Sequence, residues 1–216
     1  MKYEKKLIII TTLLTFLPAV FGLLLWNKLP DQLPVHWNAA GEIDGYLAKP
    51  AAVFGMPAVL ALIQLFTVFV TGTDPKNPNV VKKVNQLVLW IVPAVSLLTS
   101  VMVYPTALGQ PVNANTAASL FVGILFVVIG NYLPKCRPNY TIGIKLPWTL
   151  ADDENWTKTH RMAGPVYMAA GLLILLSGFV LSAHEYYVMF PVILLAVLCP
   201  MVYSYLLYRK KANNEA

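Results

Sequence analysis

A set of histidines and carboxylates is the first feature of the sequence that could do chemistry. One part of the set lies in segment 27–50, and the other is a His-Glu pair near residue 185. Imidazole and carboxylate groups suit zinc and similar divalent ions. The spacing matches no established motif such as His-Glu-x-x-His, so the alternative is that these groups hydrogen-bond their loops internally and to lipid headgroups. The candidate metal ligands are His36, Asp44, His184 and Glu185.

A second group of reactive side chains lies in segment 130–162. Cys136 and His160 are the residues there that could act as a nucleophile and a base. The sequence offers no Ser-His-Asp or Cys-His arrangement around them, and nothing marks Cys136 as an activated thiol. We therefore expect His160 to be a structural hydrogen-bond partner and assign no catalytic residue.

The amino-acid composition indicates the class of protein in which these residues lie. Of the 216 residues, 57% are hydrophobic and only 12% are charged, whereas a soluble domain carries roughly 25% charged residues. This excludes a disordered chain, an ordinary soluble enzyme and direct nucleic-acid binding through a basic face. We expect an all-α integral membrane protein in contact with membrane lipids.

Six apolar segments are long enough to span a membrane as helices, since a span needs about 20 residues. They contain no Asp, Glu, Lys or Arg near their centres, which argues against an ion-coupled carrier. Two polar residues in or near them, Gln64 and Asn131, are expected to form interhelical hydrogen bonds. The predicted spans are Leu7–Trp26, Ala51–Thr71, Val84–Tyr104, Asn115–Leu133, Ala163–Ala183 and Tyr187–Tyr208.

The distribution of basic residues predicts the orientation of this six-helix bundle. Of the 16 lysines and arginines, only Lys28 and Lys49 lie in loops assigned to one side. The others, including Lys2, lie at the termini and in the second and fourth loops. Because basic residues collect on the cytoplasmic side, both termini are predicted to be cytoplasmic in a multi-pass protein of the cell membrane. Segment 27–50 then lies outside, and segment 130–162 lies inside.

Both loops are predicted to be structured. In the outer loop, 27–50, two prolines, Asn38 and two glycines favour a compact fold over a slack linker. In the inner loop, 130–162, Thr149 and Asp152 resemble a capping box. We therefore expect a short interfacial helix over 151–162, with Trp156, His160 and Gly164 on one face, and a break or bend at Gly164-Pro165 before the fifth span.

Both loops carry motifs that resemble those of a known family. The inner residues that carry the resemblance are Asn131, Asn139, Gly143, Lys145, Pro147, Trp148, Thr149, Trp156, Thr159, His160 and Arg161. With these residues the inner loop closely resembles the signature of the SdpI/YfhL family of bacterial membrane proteins, and the outer loop resembles the domain of unknown function that accompanies it. Residues 1–71 then form an N-terminal domain with the outer loop, and 72–216 form the SdpI-like region. Lys145 stands where we expect arginine in many relatives, which keeps the charge but loses bidentate geometry.

The resemblance implies a function in immunity and signalling. The family's namesake is an immunity protein of Bacillus that protects the producing cell from a secreted peptide toxin and holds a repressor of the ArsR type at the membrane. By this resemblance the outer loop would contact the toxin and the inner loop the repressor. Two alternatives stay open, namely a metal-dependent membrane enzyme and a small-molecule transporter. The outer residues assigned to toxin contact are His36, Asn38, Gly41, Asp44 and Tyr46.

Overall fold

The computed structural model describes residues 5–76, 81–110, 112–181 and 184–215. Lys2 and the predicted end of the fifth span, Ala183, lie outside this part of the chain. Within it, six helical segments are long and apolar enough to cross a membrane, which confirms the predicted mainly helical membrane fold. These segments are Lys5–Leu24, Ala51–Thr73, Lys82–Ala107, Ala114–Lys135, Asp153–Val180 and Tyr186–Asn214.

Some of these six segments are not uninterrupted α-helices. The first is divided at Phe16 into two helices, since Pro18 fits the first turn of the second one, where a missing N–H costs nothing. The second begins with a π-helical turn, and the fourth ends in a 3₁₀ turn, Leu133–Lys135. The helices are α1 Lys5–Thr15, α2 Leu17–Leu24, α3 Met56–Thr73, α4 Lys82–Ala107, α5 Ala114–Tyr132, α6 Pro147–Ala151, α7 Asp153–Val180 and α8 Tyr186–Glu215.

Two short strands form an antiparallel hairpin in the outer loop. They are β1, Gln32–Trp37, and β2, Ile43–Ala48. Their β-branched and aromatic residues favour extended backbone. The prediction of a compact loop is confirmed, but the all-α description missed this hairpin.

Helix α7 differs from its predicted form. The separate helix over 151–162 and the break at Gly164-Pro165 are wrong, because α7 runs from Asp153 to Val180 without interruption through Pro165. At 1.5 Å per residue its 28 residues extend about 42 Å, longer than the ~30 Å hydrocarbon core. Its charged first turns therefore project beyond the membrane core as a continuation of the fifth span.

Glycine pairs explain the close packing of α7 on α5. A Cβ added at Gly130 would lie 2.7 Å from the carbonyl oxygen of Gly164, and one added at Gly123 would lie 2.8 Å from that of Gly171. Such small residues let two membrane helices approach backbone to backbone. The same contact accounts for the wrong prediction at Gly164-Pro165, since Gly164 is a packing position and neighbouring helices support a proline-containing helix in a membrane.

The chain divides into two compact units. One comprises the described residues within Thr73–Val84 and Ala118–Ala216, and contains the inner loop. The other comprises those within Lys2–Gly72 and Asn85–Ala117, and contains the hairpin. The division predicted at residue 71 stays a prediction.

A buried hydrogen-bond network joins the helices of the hairpin unit. Gln64 Nε2 donates to Thr11 Oγ1 at 2.6 Å, and Gln64 Oε1 accepts from Thr15 Oγ1 at 3.1 Å. Ser96 Oγ donates to the carbonyl oxygen of Thr15 at 2.8 Å. The interhelical role predicted for Gln64 is thus confirmed. The same prediction is wrong for Asn131, which is exposed and accepts from Lys135 of the adjoining turn.

Gln64→Leu is expected to destabilise this unit by about 1 kcal/mol, because hydrogen bonds between membrane helices contribute roughly that amount. The reason is that Gln64 is only 1% exposed and bonds two threonines of α1. Reversible unfolding in mixed detergent micelles would measure the loss. Gln32→Leu, at an exposed position of the hairpin, is the matched control. An equal effect of the two variants would contradict a role for the network.

Candidate functional site

The hairpin turn is built by Asn38. Its Oδ1 accepts from the backbone N–H groups of Ala40 at 2.9 Å and Glu42 at 3.0 Å. Gly41 completes the turn with φ +80°, a conformation that favours glycine. Asn38 and Gly41, both predicted as toxin-contact residues, therefore shape the turn.

The base of the hairpin is anchored in an apolar cluster. Leu33 is fully buried and belongs to one cluster with Leu29, Val53 and Tyr104. The hydroxyl of Tyr104 donates to the carbonyl oxygen of Pro18 at 2.8 Å, which ties α4 to α2 beneath the hairpin. The strands thus begin at a buried and hydrogen-bonded base, which orients the side chains that they expose.

Three predicted outer residues form an exposed surface on this hairpin. His36 Nδ1 lies 2.5 Å from Asp44 Oδ1, and the two side chains are 71% and 44% exposed. Gly45 makes room for His36, because a Cβ there would lie 2.8 Å from that of His36. Tyr46 is 54% exposed. We call His36, Asp44 and Tyr46 the hairpin face.

The predicted metal ligands fall in both units. His36 and Asp44 belong to the hairpin unit, and His184 and Glu185 to the other. Glu185 is buried beside Ser119, and this burial raises the pKa of its carboxyl. His184 is exposed and stacks near Tyr187. Among the described residues, no three or more His, Cys, Asp or Glu side chains group closely enough to hold a metal ion. Zinc binding here stays a prediction.

The inner loop folds around the side chain of Asn139. Its Oδ1 accepts from the N–H groups of Thr141 at 2.9 Å and Ile142 at 2.6 Å. Its Nδ2 donates to the carbonyl oxygens of Arg137 and Ile142, both at 2.8 Å. Asn139 is 1% exposed, so its amide holds the turn from inside.

Asp74, which was not among the predicted site residues, connects this turn to the loop between α3 and α4. Its Oδ2 accepts from the N–H of Tyr140 and from Oγ1 of Thr141, each at 2.9 Å. Its Oδ1 accepts from the N–H of Lys76 at 2.8 Å, an Asx turn. The Asx turn at Asp74 can be recognised from the local sequence. Its contacts with Tyr140 and Thr141 cannot, because these partners lie 66 and 67 residues away along the chain.

His160 and Trp156 form the floor of the inner loop. The rings stack with centroids 4.2 Å apart and are almost fully buried. His160 Nε2 accepts from the N–H of Ile144 at 2.9 Å, and Nδ1 lies 2.8 Å from the carbonyl oxygen of Trp156. Both ring nitrogens are therefore satisfied in the neutral form with the proton on Nδ1. The predicted structural role of His160 and the shared face with Trp156 fit this arrangement.

Gly143 lies directly over that floor. Its φ is +121°, and a Cβ there would lie 2.5 Å from His160 Nε2. Trp156 Nε1 donates to the carbonyl oxygen of Cys136 at 2.9 Å and closes the same cluster. Burial raises the pKa of the Cys136 thiol to about 11, so the thiol stays protonated and is a poor nucleophile.

The start of α7 corrects the predicted capping box. Asp152, and not Thr149, caps the helix, and its carboxylate accepts from the N–H groups of Glu154 and Asn155. Burial alone would raise the pKa of Asp152, but hydrogen bonds from Lys211 and from these two N–H groups lower it. Thr149 instead accepts from the N–H of Leu146 at 2.9 Å at the start of α6, where Pro147 occupies the first turn.

The residues around this start bond α6 and α7 to α8. Trp148 Nε1 donates to Ser204 Oγ at 2.7 Å, and Asn155 Nδ2 donates to the carbonyl oxygen of Ser204 at 2.9 Å. Thr159 Oγ1 in turn donates to Asn155 Oδ1 at 3.0 Å. Trp148 and Thr159 thus have packing roles, and Ser204 is a partner that the sequence analysis missed.

A minority of the predicted inner residues remain exposed. Lys145 is exposed and donates from Nζ to the carbonyl oxygen of Thr141 at 3.1 Å, and Arg161 is exposed on α7. Tyr140, which is not one of the predicted site residues, is also exposed, at 48%, with Lys76 Nζ 4.8 Å from its ring centroid. We call Tyr140, Lys145 and Arg161 the inner face, since these side chains are accessible to a partner.

Comparisons with known proteins agree with this arrangement. The model of the SdpI/YfhL protein family matches residues 135–204, which include most of the inner loop, α7 and part of α8. The model of a domain of unknown function, DUF1648, matches residues 13–61, which include the hairpin. The chain is 26% identical to the immunity protein SdpI of Bacillus subtilis (strain 168) over 203 residues, covering 94% of this chain and 96% of that protein. No solved structure matches the chain.

Proposed function

Because this chain belongs to the SdpI/YfhL family, we propose that it is a membrane immunity protein that protects its cell from a secreted peptide toxin. The similarity to an immunity protein extends over nearly the whole chain, so it includes both loops and all six spans. The predicted orientation places the hairpin outside, where a secreted toxin arrives.

The observation that carries the proposal is the hairpin face. His36, Asp44 and Tyr46 are exposed, while Leu33 at the base of the hairpin is fully buried. A preorganised surface with an aromatic ring and a hydrogen-bonded His-Asp pair suits peptide recognition, because little ordering entropy is lost on binding. Asn38 and Gly41 contribute indirectly by holding the turn.

The inner face is the proposed contact for a transcriptional repressor of the ArsR type. Asn139, Trp156 and His160 are buried and committed to bonds within their own unit. Tyr140, Lys145 and Arg161 are among the exposed residues of the inner loop. A protein that reports toxin across the membrane must have two states with different toxin affinity. We assign repressor binding to the state that toxin favours.

Replacing the hairpin face is expected to lower toxin protection. In a Bacillus subtilis strain that lacks its own SdpI, His36→Ala with Tyr46→Ala should reduce the tolerated toxin concentration by about tenfold or more, as for loss of a central interface anchor. The measurement is cell survival across a toxin dilution series, with the amount of protein in the membrane quantified by immunoblot.

Gln32→Ala is the matched control, since Gln32 is exposed on the same hairpin and outside the hairpin face. Wild-type protection by the double variant would reject the hairpin face as the toxin site. No protection by the unaltered chain, with the protein present in the membrane, would reject immunity to this toxin.

A further inference from the structure

A polar pocket lies between the first turns of α7 and the last turns of α8. Its volume is about 290 Å³. Two lysines that line the pocket each form an ion pair with a carboxylate. Lys158 Nζ lies 2.6 Å from Glu154 Oε1, and Lys211 Nζ lies 3.1 Å from Asp152 Oδ2. Within the described part of the chain, Lys210 has no such carboxylate partner. The pocket therefore keeps one uncompensated positive charge.

A second depression, almost purely apolar, lies between the same two helices. It has a volume of about 760 Å³ and is lined by residues of α7 and α8 such as Ala169, Leu173, Ala196 and Cys199. Leu173 is 52% exposed, so the groove is open. It lies in the part of both helices that is apolar enough to cross the membrane.

The pocket and the groove follow the same helix faces. Lys158 lines the pocket and Ala169 the groove, 11 residues apart on α7; on α8, Cys199 and Lys210 have the same spacing. Eleven residues make about three turns, since 3.6 residues form one turn. The two depressions therefore form one strip, apolar along its middle and cationic at its end, with about 16 Å between these levels.

We propose that this strip is a binding site for one anionic phospholipid, with its phosphate in the pocket and an acyl chain in the groove. The charge matches, because a phosphodiester such as that of phosphatidylglycerol carries one negative charge and Lys210 supplies one positive charge. The depth matches, because a phosphate in the headgroup layer lies about 18 Å from the midplane of a bilayer with a hydrocarbon core of about 30 Å, so a level about 16 Å deeper still lies within the acyl chains. The proposal is independent of toxin immunity.

The test is native mass spectrometry of the full chain in detergent with added lipid. Dioleoylphosphatidylglycerol and dioleoylphosphatidylcholine have the same acyl chains and differ in headgroup charge. The unaltered chain should bind the anionic lipid about fivefold more tightly, since one lysine near a membrane surface contributes about that factor. Lys210→Gln should remove this preference.

Two further variants distinguish the contribution of the Lys210 charge to lipid binding from that of the apolar groove. Arg209→Gln makes the same change of charge on the same helix at a residue that does not line the pocket, and it should keep the preference. Ala169→Phe places a ring in the groove without changing charge and should lower binding of both lipids.

Three results would overturn the proposal. Equal effects of Arg209→Gln and Lys210→Gln would show attraction by net charge without a site. Binding of glycerol 3-phosphate as tight as that of the lipid would remove the role of the groove. A dimer that Ala169→Phe converts to a monomer, without bound phosphatidylglycerol, would show that a second copy of the chain covers the groove.

Discussion

Gly143→Ala is expected to destabilise the inner loop by about 3–5 kcal/mol, combining left-handed backbone strain with the loss of a buried hydrogen bond. The new Cβ would lie 2.5 Å from His160 Nε2 and 3.0 Å from Trp156 Cζ2, and neither ring can yield because both are buried. Either His160 moves and the Ile144 N–H loses its acceptor, or the turn around Asn139 opens. The thermal unfolding temperature should fall by about 10 °C.

Gly109→Ala is the matched control for this prediction. Gly109 also has a positive φ, +76°, but an added Cβ would meet nothing within 4 Å. It therefore reports backbone strain alone, about 1–2 kcal/mol. If the two variants unfold at the same temperature in a detergent thermal-shift assay, the ring floor beneath Gly143 has no energetic importance.

The membrane fold could be predicted from the sequence because its cause is local. An apolar run of about 20 residues has no stable alternative to a helix in lipid, since every backbone N–H and C=O must find a partner within its own segment. The limits of the spans were predicted to within a few residues at most ends. The fifth span is the largest exception, because its continuation through Pro165 depends on the backbone contact between Gly130 and Gly164. The sixth span also continues to Asn214, beyond the predicted end at Tyr208.

In the inner loop, residue types alone indicated which residues matter but not whether each one contacts a partner or supports the loop. The aromatic and polar residues of 139–160 were identified together, but exposed recognition and internal support use the same residue types. Burial separates the two uses: Asn139, Thr149, Trp156 and His160 hold the loop, while Tyr140, Lys145 and Arg161 remain accessible. That distinction requires the fold.

The hairpin was missed for a different reason. Its strands have six residues each, and β2 is largely exposed, so neither shows a clear alternation of apolar and polar residues. Pro34 within β1 further weakens a strand prediction. What stabilises the hairpin is burial of Leu33 against α4 and the turn after α2, a contact between distant parts of the sequence.

Asp74→Ala is expected to release the inner loop from the α3–α4 connection at a cost of about 2–4 kcal/mol, because hydrogen bonds to a charged group contribute roughly 1.5–3 kcal/mol each before relaxation. Asp74 is 7% exposed, and its carboxylate accepts from the N–H of Tyr140, the hydroxyl of Thr141 and the N–H of Lys76. Asn139 would still hold the turn itself. The variant should therefore loosen the loop without unfolding the helices.

Limited trypsin digestion distinguishes this local release from global unfolding. Lys145 follows the turn that Asp74 holds, so cleavage after Lys145 should accelerate about tenfold or more while the helical circular dichroism is retained. Asp153→Ala, an exposed carboxylate of the same unit, is the control for the change of charge and should leave the cleavage rate near that of the unaltered chain. Unchanged cleavage in Asp74→Ala would mean that Asn139 alone fixes the loop, and the inner face would then be rigid independently of the α3–α4 connection.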